Sequence, residues 1–145
     1  MLNIQVELFN QHTKTAGTLN DISDKPVVIC SIVRPLDPTT IKYIKYMLSE
    51  FGSEQYHLLF LTSQPIAVAT LRANLDQHEL DKLQGILDKD GNLYEAFNQT
   101  QNKKLPKRKL MRFWLFQSVI KDGNIVFFNE QPTENRIHEA KKHVT

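Results

Sequence analysis

The sequence predicts an α/β protein in which a mixed β-sheet is flanked by helices. The run 27–33 is almost continuously apolar and rich in β-branched residues, which is typical of a strand covered on both faces. The apolar spacing then changes to three and four, at Ile41, Ile44 and Leu48, which indicates an amphipathic helix. Strand-like and helix-like segments alternate along the rest of the chain, and this order favours helices packed on both faces of a sheet.

The N-terminal part of the sequence predicts a β-hairpin. Residues 3–9 alternate between polar and apolar side chains, which is typical of a half-buried strand. The polar residues 10–18 are interpreted as a turn, and residues 18–19 as a short strand that pairs back. Residues 20–25 are expected to connect this hairpin to the apolar run as a loop.

Two helices and a second buried strand are predicted in the middle of the chain. The first helix is expected to be capped by Thr39 and to end at residues 51–52, because threonine suits a helix start and glycine suits the left-handed end. The buried strand follows at 56–62. Ser63 is predicted to cap the second helix, with Pro65 in its first turn. The apolar positions of that helix are predicted to be Ile66, Ala69, Leu71, Ala73 and Leu75.

The second half of the chain predicts shorter elements. Residues 76–82 are expected to form a further turn or short helix. The segment 98–109 is polar and basic and is interpreted as a loop. An Asp-Gly pair at 122–123, between two apolar runs, is a signal for a hairpin. The remaining predictions are a strand at 84–88, a turn at 89–91, a helix at 92–97, strands at 113–120 and 125–128, and a helix at 133–144.

Composition excludes several classes of protein. With 145 residues the chain is expected to form one domain, 1–145, with a sizeable core. A net charge of +2 argues against a dedicated nucleic-acid binder, and a single cysteine excludes an internal disulfide. No run resembles a signal peptide or a membrane span, so a cytoplasmic location is expected. No cofactor or metal is expected, because neither a phosphate-binding glycine loop nor metal-ligand spacing is present.

Three segments resemble one known family. Lys25–Ile29, Ile86–Phe97 and Val119–Ile125 are similar to the strand before the active loop, the Asp-Gly stretch and the late hairpin of peroxiredoxins of the AhpC/TSA type. These proteins belong to the thioredoxin superfamily. The resemblance implies a thioredoxin-like three-layer sandwich, with a mixed central β-sheet flanked by helices and an N-terminal β-hairpin. It also implies thiol chemistry at the junction between the buried strand and the first helix.

The cysteine of that family is missing from this junction. Peroxiredoxins carry Pro-x-x-x-Thr-x-x-Cys, whereas this chain has Pro35, Thr39 and then Lys42 at the cysteine position. The reactive species is a thiolate, which neither lysine nor threonine supplies. The junction is therefore interpreted as a vestigial active-site loop. It comprises Arg34, Pro35, Asp37, Pro38, Thr39, Thr40 and Lys42, which form either an anion-binding loop or only a tight loop with a helix cap.

Two further residues are candidates for a redox site. Cys30 is the only thiol, and it is either a relocated reactive cysteine or a small buried residue of the central strand. Its position inside an apolar run favours the buried interpretation, because burial away from cations makes a thiol inert. The resemblance further implies that Arg112 corresponds to the arginine that lies near the thiolate in peroxiredoxins.

The densest cluster of charge lies at 103–112. It is either a surface for an acidic or phosphate-rich partner or a solvated loop. Its candidate binding residues are Lys103, Lys104, Lys107, Arg108 and Lys109.

Together these observations predict a redox-degenerate, peroxiredoxin-like protein that is non-catalytic and acts by binding a protein or a ligand. A homodimer is among the expected assemblies, since the family often pairs through sheet edges or loop faces. Two alternatives remain open. One is an antioxidant thiol peroxidase that uses Cys30, and the other is anion or nucleic-acid binding through the basic segment 103–112. A membrane partner is not expected.

Overall fold

Seven strands form one mixed sheet in the part of the chain that the structure, a computed structural model, describes: residues 3–22, 24–32, 37–51, 55–130 and 142–143. The strands are β1 (Val6–Asn10), β2 (Lys14–Gly17), β3 (Val27–Ser31), β4 (His57–Thr62), β5 (Gln84–Leu87), β6 (Phe116–Lys121) and β7 (Asn124–Glu130). Their order across the sheet is β2-β1-β5-β4-β3-β6-β7. The three central strands, β5, β4 and β3, run parallel, and the other pairings are antiparallel.

Five α-helices and one 3₁₀ turn lie among the described residues. They are the 3₁₀ turn Leu19–Ile22 and the helices α1 (Pro38–Phe51), α2 (Pro65–Asn74), α3 (Gln77–Leu80), α4 (Asn92–Gln101) and α5 (Lys107–Phe113). Helices α1 and α2 pack on one face of the sheet, and α4 and α5 pack on the other. The arrangement is the predicted thioredoxin-like three-layer sandwich. No helix among the described residues is long and apolar enough to span a bilayer.

Strand β3 explains why a continuous apolar run predicts a central strand. All five of its residues are buried. Val28 and Cys30 belong to the core under α1 and α2, whereas Val27 and Ile29 belong to the core under α4 and α5. Because successive side chains of a strand point to opposite faces, a strand covered on both sides must be apolar at every position.

The N-terminal hairpin exists, but its second strand is displaced from the prediction. β2 spans Lys14–Gly17, inside the segment interpreted as a turn, and residues 19–22 form a 3₁₀ turn instead of a strand. The turn is short because the carboxamide oxygen of Asn10 accepts hydrogen bonds from the backbone of His12 and Thr13, at 2.8 and 3.0 Å. β2 is an edge strand with three exposed residues, so it lacks the apolar pattern that predicts strands.

Both predicted helix caps were wrong by one or two residues. At α1 the carboxylate of Asp37 accepts a 2.7 Å hydrogen bond from the backbone N–H of Thr39, so Asp37 is the cap and Thr39 lies in the first turn. At α2 the cap position is Gln64, and the hydroxyl of Ser63 donates to the carbonyl of Met111 instead. The buried residues of α2 are Ala67, Val68 and Leu71, whereas Ile66 is 63% exposed.

The largest difference from prediction lies at 98–113. Residues interpreted as a loop continue α4 to Gln101 and form α5, and β6 begins at Phe116 instead of residue 113. Helix α5 has one fully buried apolar residue, Leu110, and its other residues are mostly basic, so its sequence carries almost no amphipathic signal. The predicted helix 133–144 lies outside the described residues, apart from 142 and 143.

Candidate functional site

The N-terminus of α1 carries the described part of the vestigial loop. Arg34 and Pro35 lie outside the described residues. Pro38 opens the helix, where the lack of an N–H costs nothing. The backbone carbonyl of Asp37 accepts a hydrogen bond of 3.1 Å from the N–H of Ile41, and the Asp37 carboxylate accepts the one from the N–H of Thr39. The first turn of α1 is therefore capped by the carboxylate of Asp37.

The remaining loop residues are spread over the first turns of α1. Pro38 and Thr39 are exposed, Thr40 is half-buried, and Lys42, at the position of the family's cysteine, is exposed. No thiol lies on this helix, because the only cysteine of the chain is Cys30. The residue that the resemblance aligns with the reactive cysteine of peroxiredoxins is therefore a lysine exposed to solvent.

Cys30 is fully buried within β3. Its sulfur lies 4.0 Å from the side-chain nitrogen of Gln117, on the neighbouring strand β6. The Tyr43 hydroxyl, from the second turn of α1, also lies beside the thiol, although the two groups do not reach hydrogen-bond geometry. Burial raises the pKa of Cys30 from its ordinary 9.0 to about 12, and the two polar neighbours only partly oppose this.

A row of polar side chains, which the sequence analysis missed, crosses the sheet beside Cys30. Strand pairing places Cys30 opposite Gln117, and Gln117 opposite Asn129. Within the described part of the chain, the side-chain oxygen of Gln117, both amide atoms of Asn129 and the Tyr43 hydroxyl are buried without a hydrogen-bond partner. Burial likewise raises the pKa of Tyr43. The side chains near the thiol are uncharged, so their polar groups offset only part of the effect of burial, and no cation lies among them to stabilise a thiolate.

The basic segment divides into groups that face different surroundings. Lys103 donates a 2.6 Å hydrogen bond to Glu130, and Lys107 donates to Asn92 at 2.9 Å. Lys104, Arg108 and Lys109 are exposed. The cluster is thus not one uniform cationic surface.

Arg112 lies in the last turn of α5, where its guanidinium stacks 5.5 Å from the ring centre of Phe113. Among the described residues, no hydrogen bond or ion pair joins Arg112 to Cys30 or to the first turn of α1. The structure therefore does not bring this arginine together with the thiol.

A groove on the opposite face of the sheet from Cys30 collects several of these residues. It encloses about 220 Å³ between the end of α4, α5 and the end of β7. Its walls include Lys103, Leu105, Lys109, Phe113, Trp114 and Glu130. The sequence analysis named the two lysines, but it could not find the groove, because its aromatic and acidic walls come from segments that meet only after folding.

No set of three or more metal-binding side chains is present in the described residues. No protein-family model matches the sequence, and no curated protein is significantly similar to it. The comparison with solved structures, in contrast, finds many similar chains.

Peroxiredoxins and a thioredoxin are among these similar chains. A cysteine-to-serine mutant of PrxQ from Xylella fastidiosa matches with a TM-score of 0.68 at 17% identity, over 99% of this chain and 91% of that one. AhpC from Enterococcus faecalis matches with a TM-score of 0.62 at 14% identity, over 99% and 87%. The exposed lipoprotein thioredoxin of Streptococcus pneumoniae matches with a TM-score of 0.64 at 17% identity, over 97% and 99%.

The fold therefore defines the class of protein: a thioredoxin-like α/β sandwich of the kind found in peroxiredoxins. The fold that the sequence resemblance implied is confirmed. In this chain the first turns of α1 carry Lys42, and the single thiol is buried in β3.

Proposed function

We propose that this protein is a thioredoxin-fold protein that has no thiol peroxidase activity and acts by binding. The observation that carries the proposal is the burial of Cys30, whose pKa is raised to about 12. A thiol with that pKa is almost entirely protonated at neutral pH, and the protonated form does not attack peroxides. The exposed Lys42 cannot replace it, because an ammonium group has no electron pair to donate.

Peroxide consumption with a thioredoxin-type reductant tests the catalytic half of the proposal. We expect the protein and its Cys30→Ser variant to consume hydrogen peroxide at the same rate as buffer, while an active peroxiredoxin in the same assay turns over. Turnover by the protein that disappears in Cys30→Ser would contradict the proposal. It would instead establish the antioxidant enzyme that uses Cys30.

Alkylation of the native protein provides a second, structural test. We expect iodoacetamide to modify Cys30 only after denaturation in urea, because the folded strand excludes both solvent and reagent. Rapid modification of the native protein would indicate a thiol that the fold exposes, and would favour the enzymatic alternative.

The binding half of the proposal concerns a protein partner, and a second copy of this chain is the simplest one. Sedimentation equilibrium over a range of concentrations measures this directly. A dimer that dissociates on dilution is the expected result, and a monomer at all concentrations would remove the homodimer from the proposal.

Nucleic-acid binding through 103–112 is the weaker alternative, since Lys103 and Lys107 already donate to Glu130 and Asn92. Binding to a mixed-sequence oligonucleotide is expected to be absent at physiological salt. Affinity that falls steeply with salt concentration would support this alternative instead.

A further inference from the structure

We infer that the groove between α4, α5 and β7 binds a small monocarboxylic acid with an apolar body. The inference rests on the proposed function only in taking the chain to act by binding, and it concerns a site remote from Cys30, on the other face of the sheet. Three independent features of the groove carry it: its exposed apolar wall, its charge and its size.

The apolar wall is formed by side chains that the fold leaves in solvent. Phe113 is 62% exposed and Leu105 is 40% exposed. Phe113 and Lys109 lie four residues apart on α5, so they share one face of the helix and line the groove together. A large exposed ring beside a cation is a surface that an amphipathic ligand covers, because burial of the ring removes apolar area from water.

The charge of the groove favours one negative charge on the ligand. Lys103 is neutralised by Glu130 at 2.6 Å, and its ammonium also lies 5.9 Å from the centre of the Trp114 ring. Lys109, in contrast, has no hydrogen bond or ion pair within the part of the chain described. One uncompensated cation next to a carboxylate attracts a monoanion, whereas a phosphate dianion would meet repulsion from Glu130.

The size of the groove limits the ligand to one ring or one short chain. A cavity of about 150 Å³ holds a benzene molecule, and this groove encloses about 220 Å³. The difference leaves room for a short linker and a carboxylate. We therefore choose 3-phenylpropionate as the probe, and the neutral 3-phenylpropionamide as its matched control.

Trp114 is the only tryptophan in the chain, so the tryptophan fluorescence comes from a single residue in the wall of this groove. At low ionic strength we expect 3-phenylpropionate to change the fluorescence in a saturable way. It should bind about two- to fivefold more tightly than the amide, because an exposed ion pair contributes a free energy of that size. The Lys109→Met variant is expected to lose this preference, so that acid and amide bind equally. Phe113→Ser should weaken both ligands about tenfold, because the ring contact is lost.

The matched control is Lys104→Met, which removes an exposed cation from the same segment but outside the groove. It should leave the preference for the acid intact. The inference is overturned if the amide binds as tightly as the acid, if Lys104→Met has the same effect as Lys109→Met, or if the fluorescence does not saturate up to the solubility limit of the acid. None of these results bears on peroxide turnover, so failure of this site and failure of the proposed function are distinguishable.

Discussion

Cys30 lies in the middle of β3, where burial holds its thiol in the protonated form. Peroxiredoxin-type chemistry needs a thiolate next to positive potential, and the surroundings of this thiol are the neutral groups of Tyr43 and Gln117. The inertness of the thiol is thus a property of its place in the sheet.

The raised pKa of Cys30 predicts a loss of stability at alkaline pH. The unfolded thiol ionises near pH 9, whereas the folded thiol keeps its proton up to about pH 12, so rising pH favours the unfolded chain between these values. The free energy of unfolding should fall by up to about 1.4 kcal/mol per pH unit from this group. Urea unfolding from pH 8 to pH 11 measures the slope.

The Cys30→Ser variant is the control for this effect, since serine does not titrate. In this variant the free energy of unfolding should fall less steeply with pH above pH 9. The decrease that remains comes from buried tyrosines such as Tyr43, whose pKa is also raised. Identical slopes in the two proteins would show that the thiol does not cause the loss of stability at alkaline pH.

One hydroxyl group joins the end of β3 to the start of β6, beyond the ladder that pairs the two strands. The Ser31 side chain accepts a 2.7 Å hydrogen bond from the N–H of Phe116 and donates a 2.8 Å bond to the carbonyl of Trp114. These groups lie where the chain passes from α5 into β6. The hydroxyl therefore fixes the start of β6, and with it the wall of the groove that Trp114 forms.

Ser31→Ala is expected to lower the free energy of unfolding by about 1–3 kcal/mol, because a buried N–H and a buried carbonyl lose their partner. The exposed Ser49 on α1 provides the matched control. Ser49→Ala should change stability by about 0.5 kcal/mol or less. Equal effects in urea titrations of the two variants would mean that the start of β6 is not held in this way.

Two glycines are required for different reasons, one spatial and one conformational. A Cβ on Gly85, in β5, would overlap the ring of Phe9 and lie 2.7 Å from the carbonyl oxygen of Phe60 on the adjacent strand. Gly123, in the β6–β7 turn, has a φ of +80° and open space around it. The first position lacks room, whereas the second needs the left-handed backbone conformation.

Gly85→Ala should therefore cost about 3 kcal/mol or more, since a backbone oxygen cannot move aside cheaply. Gly123→Ala should cost about 1 kcal/mol, the price of a left-handed alanine. Thermal or urea unfolding of both variants gives the comparison. A larger loss at Gly123 than at Gly85 would contradict this assignment of causes.

The two cores on either side of the sheet share the strands between them. Ile44 belongs to the core under α1 and α2, and Ile86 to the core under α4 and α5. Every residue of β3 faces one core or the other. We propose on this basis that the chain unfolds as one domain, because neither core survives the loss of the common sheet.

Ile44→Val and Ile86→Val should each destabilise by about 0.5–1.5 kcal/mol, and the double variant by their sum within about 0.5 kcal/mol. Tryptophan fluorescence, which reports on one core through Trp114, should give the same transition as far-UV circular dichroism. Two separate transitions would overturn the proposal of a single domain.

The elements predicted correctly from the sequence are those whose pattern repeats along the chain. Strands β3 and β4 bury most of their residues, and helix α1 buries one face through Ile44, Met47 and Leu48, so burial imposes on each a hydrophobic period that is visible in the sequence. Strand β2 and helix α5 were missed, because each is held at a surface by a few contacts and carries no such period. The burial of Cys30 was predicted for the same reason as β3 itself.

By itself, the sequence of this protein determined a mixed α/β sheet with helices on both faces, the resemblance that implies a thioredoxin-like sandwich, and the absence of a cysteine from the start of the first helix. These are local facts, written in the order and period of neighbouring residues. Only the tertiary structure decided that Gln117 and Asn129 lie beside the thiol, and that Lys109, Phe113 and Trp114 enclose a groove with Glu130. The contacts of α5 with Glu130, and of Cys30 with β6, join residues far apart in sequence, and strand pairing and helix packing, which no local pattern encodes, bring them together.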